Sequence, residues 1–111
     1  MGGAVAILRV SGPDAFSISK KILEKSAEFE LANDRILKNA TLVSGARKLD
    51  HALFVKFKNP RSFTGEDVVE FHIHGGAFIA SEILSVLIML GARQALPGEF
   101  SFRGVQNRKF S

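Results

Sequence analysis

Hydrophobic and polar positions recur along the chain in patterns that predict both strands and helices. Residues 4–10 form a nearly continuous apolar run that ends at a Ser-Gly-Pro turn signal. Such a run predicts a first strand buried on both faces. Apolar residues then recur at helical spacing behind a proline that suits the first helical position, which predicts a helix over residues 13–25.

The middle of the chain has the pattern of a loop followed by an antiparallel hairpin. Residues 26–38 are mainly polar and contain an Asn-Asp turn signal, so we predict a surface loop there. Two β-like runs, at residues 40–44 and 52–57, flank a polar segment and predict the hairpin.

The last part of the chain combines an alternating segment with the longest apolar one. Alternation over residues 67–74 predicts a further strand. Residues 77–90 carry apolar side chains on almost all sides and predict a largely buried helix, which Gly91 would end in a left-handed conformation. An extended piece over residues 92–96 and a short final helix complete the pattern. Together these elements predict an α+β fold, a mixed β-sheet of about four to five strands with helices packed on it.

Composition limits the chain to one domain and excludes several kinds of site. The 111 residues, 46% of them hydrophobic, are enough for a single core, so we predict one domain over residues 1–111. The absence of cysteine excludes disulfides, thiolate metal sites and a cysteine nucleophile. No apolar run approaches the length of a membrane span, and no secretory signal is expected. The net charge of +4 suits anionic partners without requiring them.

Candidate chemistry is concentrated in residues 62–70 and the strand that they enter. Ser62 and Thr64 suit either a turn that bonds its own backbone or a loop that positions a ligand. Glu70 alternates with apolar residues, so its carboxylate must face solvent, pair with a base, or accept hydrogen bonds from a ligand.

The histidines and glycines that follow Glu70 leave two further alternatives open. Glu70, His72 and His74 share one strand face and could chelate zinc, although a histidine that fixes the turn at the strand end is the favoured interpretation. The pair Gly75-Gly76 allows either close backbone packing or anion binding at a helix N-terminus. The chain has no phosphate-binding loop of the GTPase type.

Four motifs together resemble the amino-terminal domain of the MnmE (TrmE) family of tRNA-uridine modification GTPases. They are ILRVSGP at residues 7–13, SFTGEDVVE at 62–70, HIHGG at 72–76 and PGEF at 97–100. Each motif is weak alone, but their order and spacing match over most of the chain. The resemblance implies the fold of the folate-binding domain of aminomethyltransferases. It also implies a bound 5-formyltetrahydrofolate or related reduced folate, and pairing with a second copy as a homodimer.

The resemblance further implies a role for a longer parent protein. That protein would modify the wobble uridine of tRNA with a carboxymethylaminomethyl-type group, together with an MnmG-type flavin-dependent partner. GTP, magnesium and potassium would bind a G domain that this chain is expected to lack, so the fragment alone is not expected to be an enzyme. No membrane partner is expected. The VEFHIHGG segment slightly favours a mitochondrial location over the bacterial cytoplasm.

Carried over by motif position, the folate-binding residues are Arg9, Glu70 and Lys109, and no catalytic or metal-binding residue is assigned. A carboxylate can accept bonds from the N–H edge of a pterin, and basic side chains suit glutamyl carboxylates. Two departures concern the ends of the chain. A leading strand of the family is expected to be missing, and residues 103–109 replace a helical alanine and an aromatic residue with glycine and valine. The alternatives are a small metal-dependent enzyme using Glu70, His72 and His74, or a small RNA-binding domain with Arg108 and Lys109 in its contact.

Overall fold

The chain folds into a four-stranded antiparallel sheet with helices packed on one of its faces. The computed structural model describes residues 5–100. Its elements in chain order are β1 (Ala6–Ser11), α1 (Ala15–Lys20), α2 (Ala27–Leu31), β2 (Lys38–Ser44), β3 (Arg47–Phe57), β4 (Val68–Ile73) and α3 (Gly76–Met89). The strand order in the sheet is β1-β4-β3-β2. The predicted α+β fold is therefore confirmed.

The relative direction of neighbouring strands differs from that in the mixed sheet, with parallel and antiparallel pairs, that the sequence predicts. Every neighbouring pair of strands within residues 5–100 is antiparallel. A tight turn joins β2 to β3, and a loop without a helix joins β3 to β4. Parallel neighbours need a longer crossover, usually a helix, so both connections impose antiparallel pairing.

The core lies between the helices and the inward face of the sheet. Phe54 on β3 and Phe71 on β4 are fully buried, and Ile83 from α3 joins the same cluster. The ring of Phe29 stacks on Phe54 with centroids 5.6 Å apart. None of the helices within residues 5–100 is long and apolar enough to cross a membrane.

The first strand and first helix differ from their predictions. β1 lies at the edge of the sheet formed by residues 5–100, and Ile7 on its outer face is 48% exposed, so the prediction of a strand buried on both faces was wrong. α1 ends well before residue 25 because the chain turns to bond the edge of β2, where Leu23 bridges Leu42. The backbone N–H of Val43 donates to the carbonyl of Ile22 at 2.8 Å, which competes with continued helix.

The predicted surface loop over residues 26–38 contains the short helix α2. Phe29 is only 1% exposed, and its ring packs edge-on against Phe16 as well as stacking on Phe54. A single buried aromatic residue in an otherwise polar segment therefore anchors a helical turn that polarity alone did not indicate.

α3 has the predicted end but not the predicted burial. Gly91 has a positive φ of 120°, and its N–H and that of Ala92 donate to the carbonyls of Ile88 and Leu87, both at 3.0 Å. This arrangement is a Schellman cap, as the glycine predicts. The prediction of a largely buried helix was wrong, because α3 covers one face of a single sheet and Phe78 on its outer side is 72% exposed.

We expect Gly75→Ala to destabilise the fold, since a Cβ at Gly75 would lie 2.3 Å from Cγ1 and 2.4 Å from Cβ of Ile79. Overpacking of this kind costs about 1–3 kcal/mol in the free energy of unfolding. Urea denaturation, monitored by circular dichroism, measures this loss in the free energy of unfolding. Gly45→Asn is the matched control, because the positive φ of Gly45 is accessible to asparagine and nothing lies within 4 Å of its Cβ position. A Gly75→Ala chain as stable as the wild type would contradict close packing at this turn.

Candidate ligand-binding site

The face of the sheet opposite the helices carries a charged pair from two neighbouring strands. Arg9 of β1 lies directly opposite Glu70 of β4 in the strand register. The Nε of Arg9 donates to Oε2 of Glu70 at 2.8 Å. His72, two residues along β4, places Nε2 3.2 Å from Oε1 of the same carboxylate. Glu70 therefore lies between two basic side chains, and its own side chain is only 18% exposed.

Alternation along β1 and β4 explains why these side chains meet. Leu8 and Val10 pack toward the core, so Arg9 between them must point to the opposite face. The same rule applies to Glu70 between Val69 and Phe71, which are fully buried. Directly opposed residues of an antiparallel pair are close enough for their side chains to interact.

The loop over residues 62–66, which we call the SFTGE loop, is held to the sheet by its own hydroxyl groups. Thr64 is fully buried, and its Oγ1 lies 2.6 Å from Oγ of Ser11 on β1. Ser62 is also buried, and its hydroxyl donates to the carbonyl of Glu66. Both hydroxyls therefore stabilise the turn. The contact between Thr64 and Ser11 also connects the turn to β1, the strand that carries Arg9.

A cleft of about 550 Å³ opens between the SFTGE loop and the outer face of the sheet. This volume is within the range of small-molecule sites. Its walls carry the paired Arg9 and Glu70. They also carry the aromatic rings of Phe57 and Phe63 and two further arginines, Arg35 and Arg61. The cleft thus combines one anionic acceptor, flat apolar surface and excess positive charge.

The carboxylate of Glu70 is held in its ionised form. Burial is the largest effect and raises the pKa of Glu70. The hydrogen bonds and positive charges of Arg9 and His72 together outweigh burial, so the net pKa lies below its ordinary value of 4.5. At neutral pH Glu70 is therefore an acceptor only. Each of its oxygens receives one bond from the part of the chain that the structure describes, which leaves lone pairs for a ligand.

The lowered pKa predicts how stability depends on pH. A carboxyl whose pKa is lower in the folded than in the unfolded chain stabilises the fold above the unfolded value, and this contribution is lost as the pH falls through the folded value. We therefore expect the wild type to be more stable than Glu70→Gln at pH 6, and the difference to shrink progressively below about pH 4.5. Urea midpoints of both chains between pH 3 and pH 7 test this. A difference independent of pH would contradict it.

The proposed metal ligands do not converge. His74 donates its backbone N–H to Asp50 at 2.8 Å, and its Nδ1 lies 3.0 Å from the carbonyl of His51. It therefore fixes the end of β4 against β3 and does not join Glu70 and His72. Within residues 5–100 no group of three His, Asp or Glu side chains could hold a metal ion. This geometry favours the strand-end interpretation over the metal-dependent enzyme.

Of the three residues that the resemblance implies, the structure brings two together. Arg9 and Glu70 share the cleft. Lys109, together with the basic tail that an RNA-binding alternative would use, lies outside the described residues. The last described residues begin the expected turn, where Glu99 accepts from the backbone N–H of Leu96 at 2.8 Å.

Sequence reasoning did not assign the two further arginines and the two aromatic residues of the cleft. Arg61 and Phe63 adjoin or belong to the SFTG motif, so their position next to that motif was an available signal. Arg35 and Phe57 carried no such signal. Arg35 belongs to the segment predicted as a plain surface loop, and only the tertiary fold places its Nη1 3.0 Å from the carbonyl of Arg61.

Comparisons with known proteins agree with the motifs. The family model described as GTP-binding protein TrmE N-terminus matches residues 1–109. A tRNA modification GTPase MnmE from Chlamydia trachomatis serovar A is 48% identical over 107 residues, which cover 96% of this chain and 24% of that protein. The protein with the same description from Synechococcus sp. (strain CC9902) is 44% identical, over 95% of this chain and 24% of its own length. The chain spans about a quarter of the length of these relatives.

The family model covers nearly the whole chain, and the residues it matches include both strands that build the cleft. The four sequence motifs and the α+β fold agree with this match. The chain therefore belongs to the TrmE amino-terminal domain family.

Proposed function

We propose that the cleft beneath the SFTGE loop binds a reduced folate such as 5-formyltetrahydrofolate. The observation that carries this proposal is the position of Glu70, an ionised and mostly buried carboxylate at the wall of a cleft of about 550 Å³. Arg9 and His72 keep this carboxylate ionised and in place but satisfy only part of its hydrogen-bonding capacity, so both oxygens can still accept from a ligand.

The chemistry of a pterin suits this wall. The amino group and the adjacent ring N–H of a pterin form a paired donor edge, which a carboxylate can accept with both oxygens. Arg9 and His72 hold the carboxylate in place, so little ordering is needed when the ligand binds. Phe57 and Phe63 supply flat apolar surface against which a pterin or benzoyl ring can stack.

We further propose that a second copy of the chain completes the site. Ile7 of β1 and Val5, which directly precedes this strand, are 48% and 56% exposed. Ile7 is on the same face as Arg9, two residues away, so the apolar surface continues the wall that carries Glu70. Burial of such surface in a homodimer would exclude water from the folate.

The relatives' description as tRNA modification GTPases supports a proposal for the longer protein. In it, this domain would present the folate for a carboxymethylaminomethyl-type modification of the wobble uridine of tRNA, with an MnmG-type partner. GTP, magnesium and potassium would act in a separate G domain. A mitochondrial or bacterial cytoplasmic location stays a prediction.

Isothermal titration of the purified chain with 5-formyltetrahydrofolate tests the proposed function, with sedimentation equilibrium on the same sample. We expect saturable binding with one folate per chain and a mass of two chains. A folded dimer that gives no heat of binding would overturn folate binding, and a folate-binding monomer would overturn the shared site.

A further inference from the structure

The positive charge of the cleft exceeds what the Arg9–Glu70 pair requires. Three arginines but only one carboxylate lie along its walls. Arg9 is paired with Glu70, whereas the guanidinium groups of Arg35 and Arg61 form no ion pair within residues 5–100. The wall of one cleft thus presents two cations that no acid of the described residues neutralises.

Neighbouring acids are engaged elsewhere. Oδ1 of Asp34, the residue before Arg35, accepts the backbone N–H of Lys58 at 2.7 Å. Oδ1 of Asp67, beyond the SFTGE loop, accepts the backbone N–H of Asn59 at 2.8 Å. Because both carboxylates cap backbone groups, they leave the two guanidinium groups available to an outside anion.

Arg35 is also held in a defined position. Its backbone N–H donates to the carbonyl of Lys56 at 2.7 Å, and Nη1 donates to the carbonyl of Arg61 at 3.0 Å. Its guanidinium lies 5.2 Å from the centre of the Phe57 ring, a cation–π contact. A guanidinium has five N–H donors, so most of them remain for a ligand. The contact with the Arg61 carbonyl also ties the two arginines into one unit, which we call the arginine rim.

We infer that the arginine rim binds the carboxylates of a glutamyl tail and that the site prefers folates carrying several glutamates. This inference rests on the proposed folate function and extends it to two residues that the motifs did not assign. Guanidinium groups bind carboxylates in a forked, bidentate geometry. A single glutamate offers two carboxylates, and each added γ-linked glutamate contributes one further negative charge. Both arginines are exposed, so a lengthening tail can extend into solvent past them.

Isothermal titration with tetrahydrofolates of different tails tests the inference. The ligands are 5-formyltetrahydropterin without a tail, 5-formyltetrahydrofolate monoglutamate and its triglutamate. We expect affinity to rise in that order, with the triglutamate bound roughly 3- to 10-fold more tightly than the monoglutamate at low salt. The advantage should decline as salt is added, because exposed charges are screened.

Arg61→Gln should remove most of the advantage of the triglutamate, measured as the ratio of the monoglutamate and triglutamate dissociation constants of the same chain. Arg61→Lys should keep most of it, since the charge is retained. Lys21→Gln is the matched control, because it removes one positive charge from an exposed position at the end of α1, on the other face of the sheet. Equal affinity for all tail lengths, or an Arg61→Gln chain that behaves as the wild type, would overturn the binding of the glutamyl tail by the arginine rim. Either result would leave the folate proposal unaffected.

A titration with γ-triglutamate alone separates the two proposals. Nuclear magnetic resonance of the arginine Nε–H groups should show shifts at Arg35 and Arg61 and none at Arg93, which is paired with Glu99. If these shifts occur although no folate binds, the folate proposal fails and the rim stands as an anion site. If neither the shifts nor folate binding occurs, both proposals are overturned.

Discussion

Glu70→Gln is expected to weaken binding of 5-formyltetrahydrofolate roughly 100-fold, which is the largest functional effect that the site predicts. The amide keeps one acceptor oxygen but replaces the other with a donor, which would face the donor edge of the pterin in the proposed site. Loss of a charge-assisted hydrogen bond costs about 1.5–3 kcal/mol, and about 2.7 kcal/mol corresponds to 100-fold in the dissociation constant. Isothermal titration of both chains measures the ratio.

Glu82→Gln is the control for loss of a negative charge. Glu82 pairs with Arg47 at 2.8 Å on the helical side of the sheet, away from the cleft, so folate affinity should not change. Circular dichroism of each variant establishes that it is folded. A folded Glu70→Gln chain that binds the folate as tightly as the wild type would remove Glu70 from the site.

Phe54→Ala is expected to have the largest effect on stability, a loss of about 3–5 kcal/mol in the free energy of unfolding. Phe54 is fully buried in β3, and its ring stacks on Phe29, the residue that anchors α2. Truncation therefore leaves a cavity at the centre of the sheet and frees the helix that rests on it. Domains of this kind are stable by only about 5–15 kcal/mol in total, so the variant should unfold at a much lower urea concentration.

Phe78→Ala is the matched control for removal of a phenylalanine. Phe78 is 72% exposed on the outer side of α3, so its truncation should cost under about 1 kcal/mol. Urea denaturation of the three chains under one set of conditions compares them. If the two variants unfolded at the same urea concentration, the assignment of the core to the helical face of the sheet would be wrong.

Local patterns predicted the elements whose signals lie within a few residues of one another. The alternation around Glu70 predicted β4 to within about a residue, and Gly91 predicted the cap of α3 because a positive φ there suits glycine. Patterns failed where a distant contact decides the conformation. Phe29 turns a polar segment into α2 because its ring is buried against Phe54, and no neighbour in the sequence carries that information.

The candidate site likewise combines features that the sequence predicted with features that only the tertiary fold decided. Motif position selected Arg9 and Glu70, and their alternation with buried residues predicted that each side chain leaves the core. Their contact depends on a strand order and register that join positions 61 residues apart. Arg35 enters the cleft only because its loop packs against β3, with its backbone bonded to Lys56.

By itself, the sequence determined the chain order of the four strands, the end of α3, the family and the two motif residues of the site, because these depend on spacing along the chain. The tertiary structure alone decided that β1 lies at the edge of the described sheet, that α3 is covered on one side, and that the arginine rim and the Arg9–Glu70 pair line the same cleft. The physical reason is that burial and charge pairing depend on which distant segments are in contact, and the strand order and register of the whole sheet set these contacts.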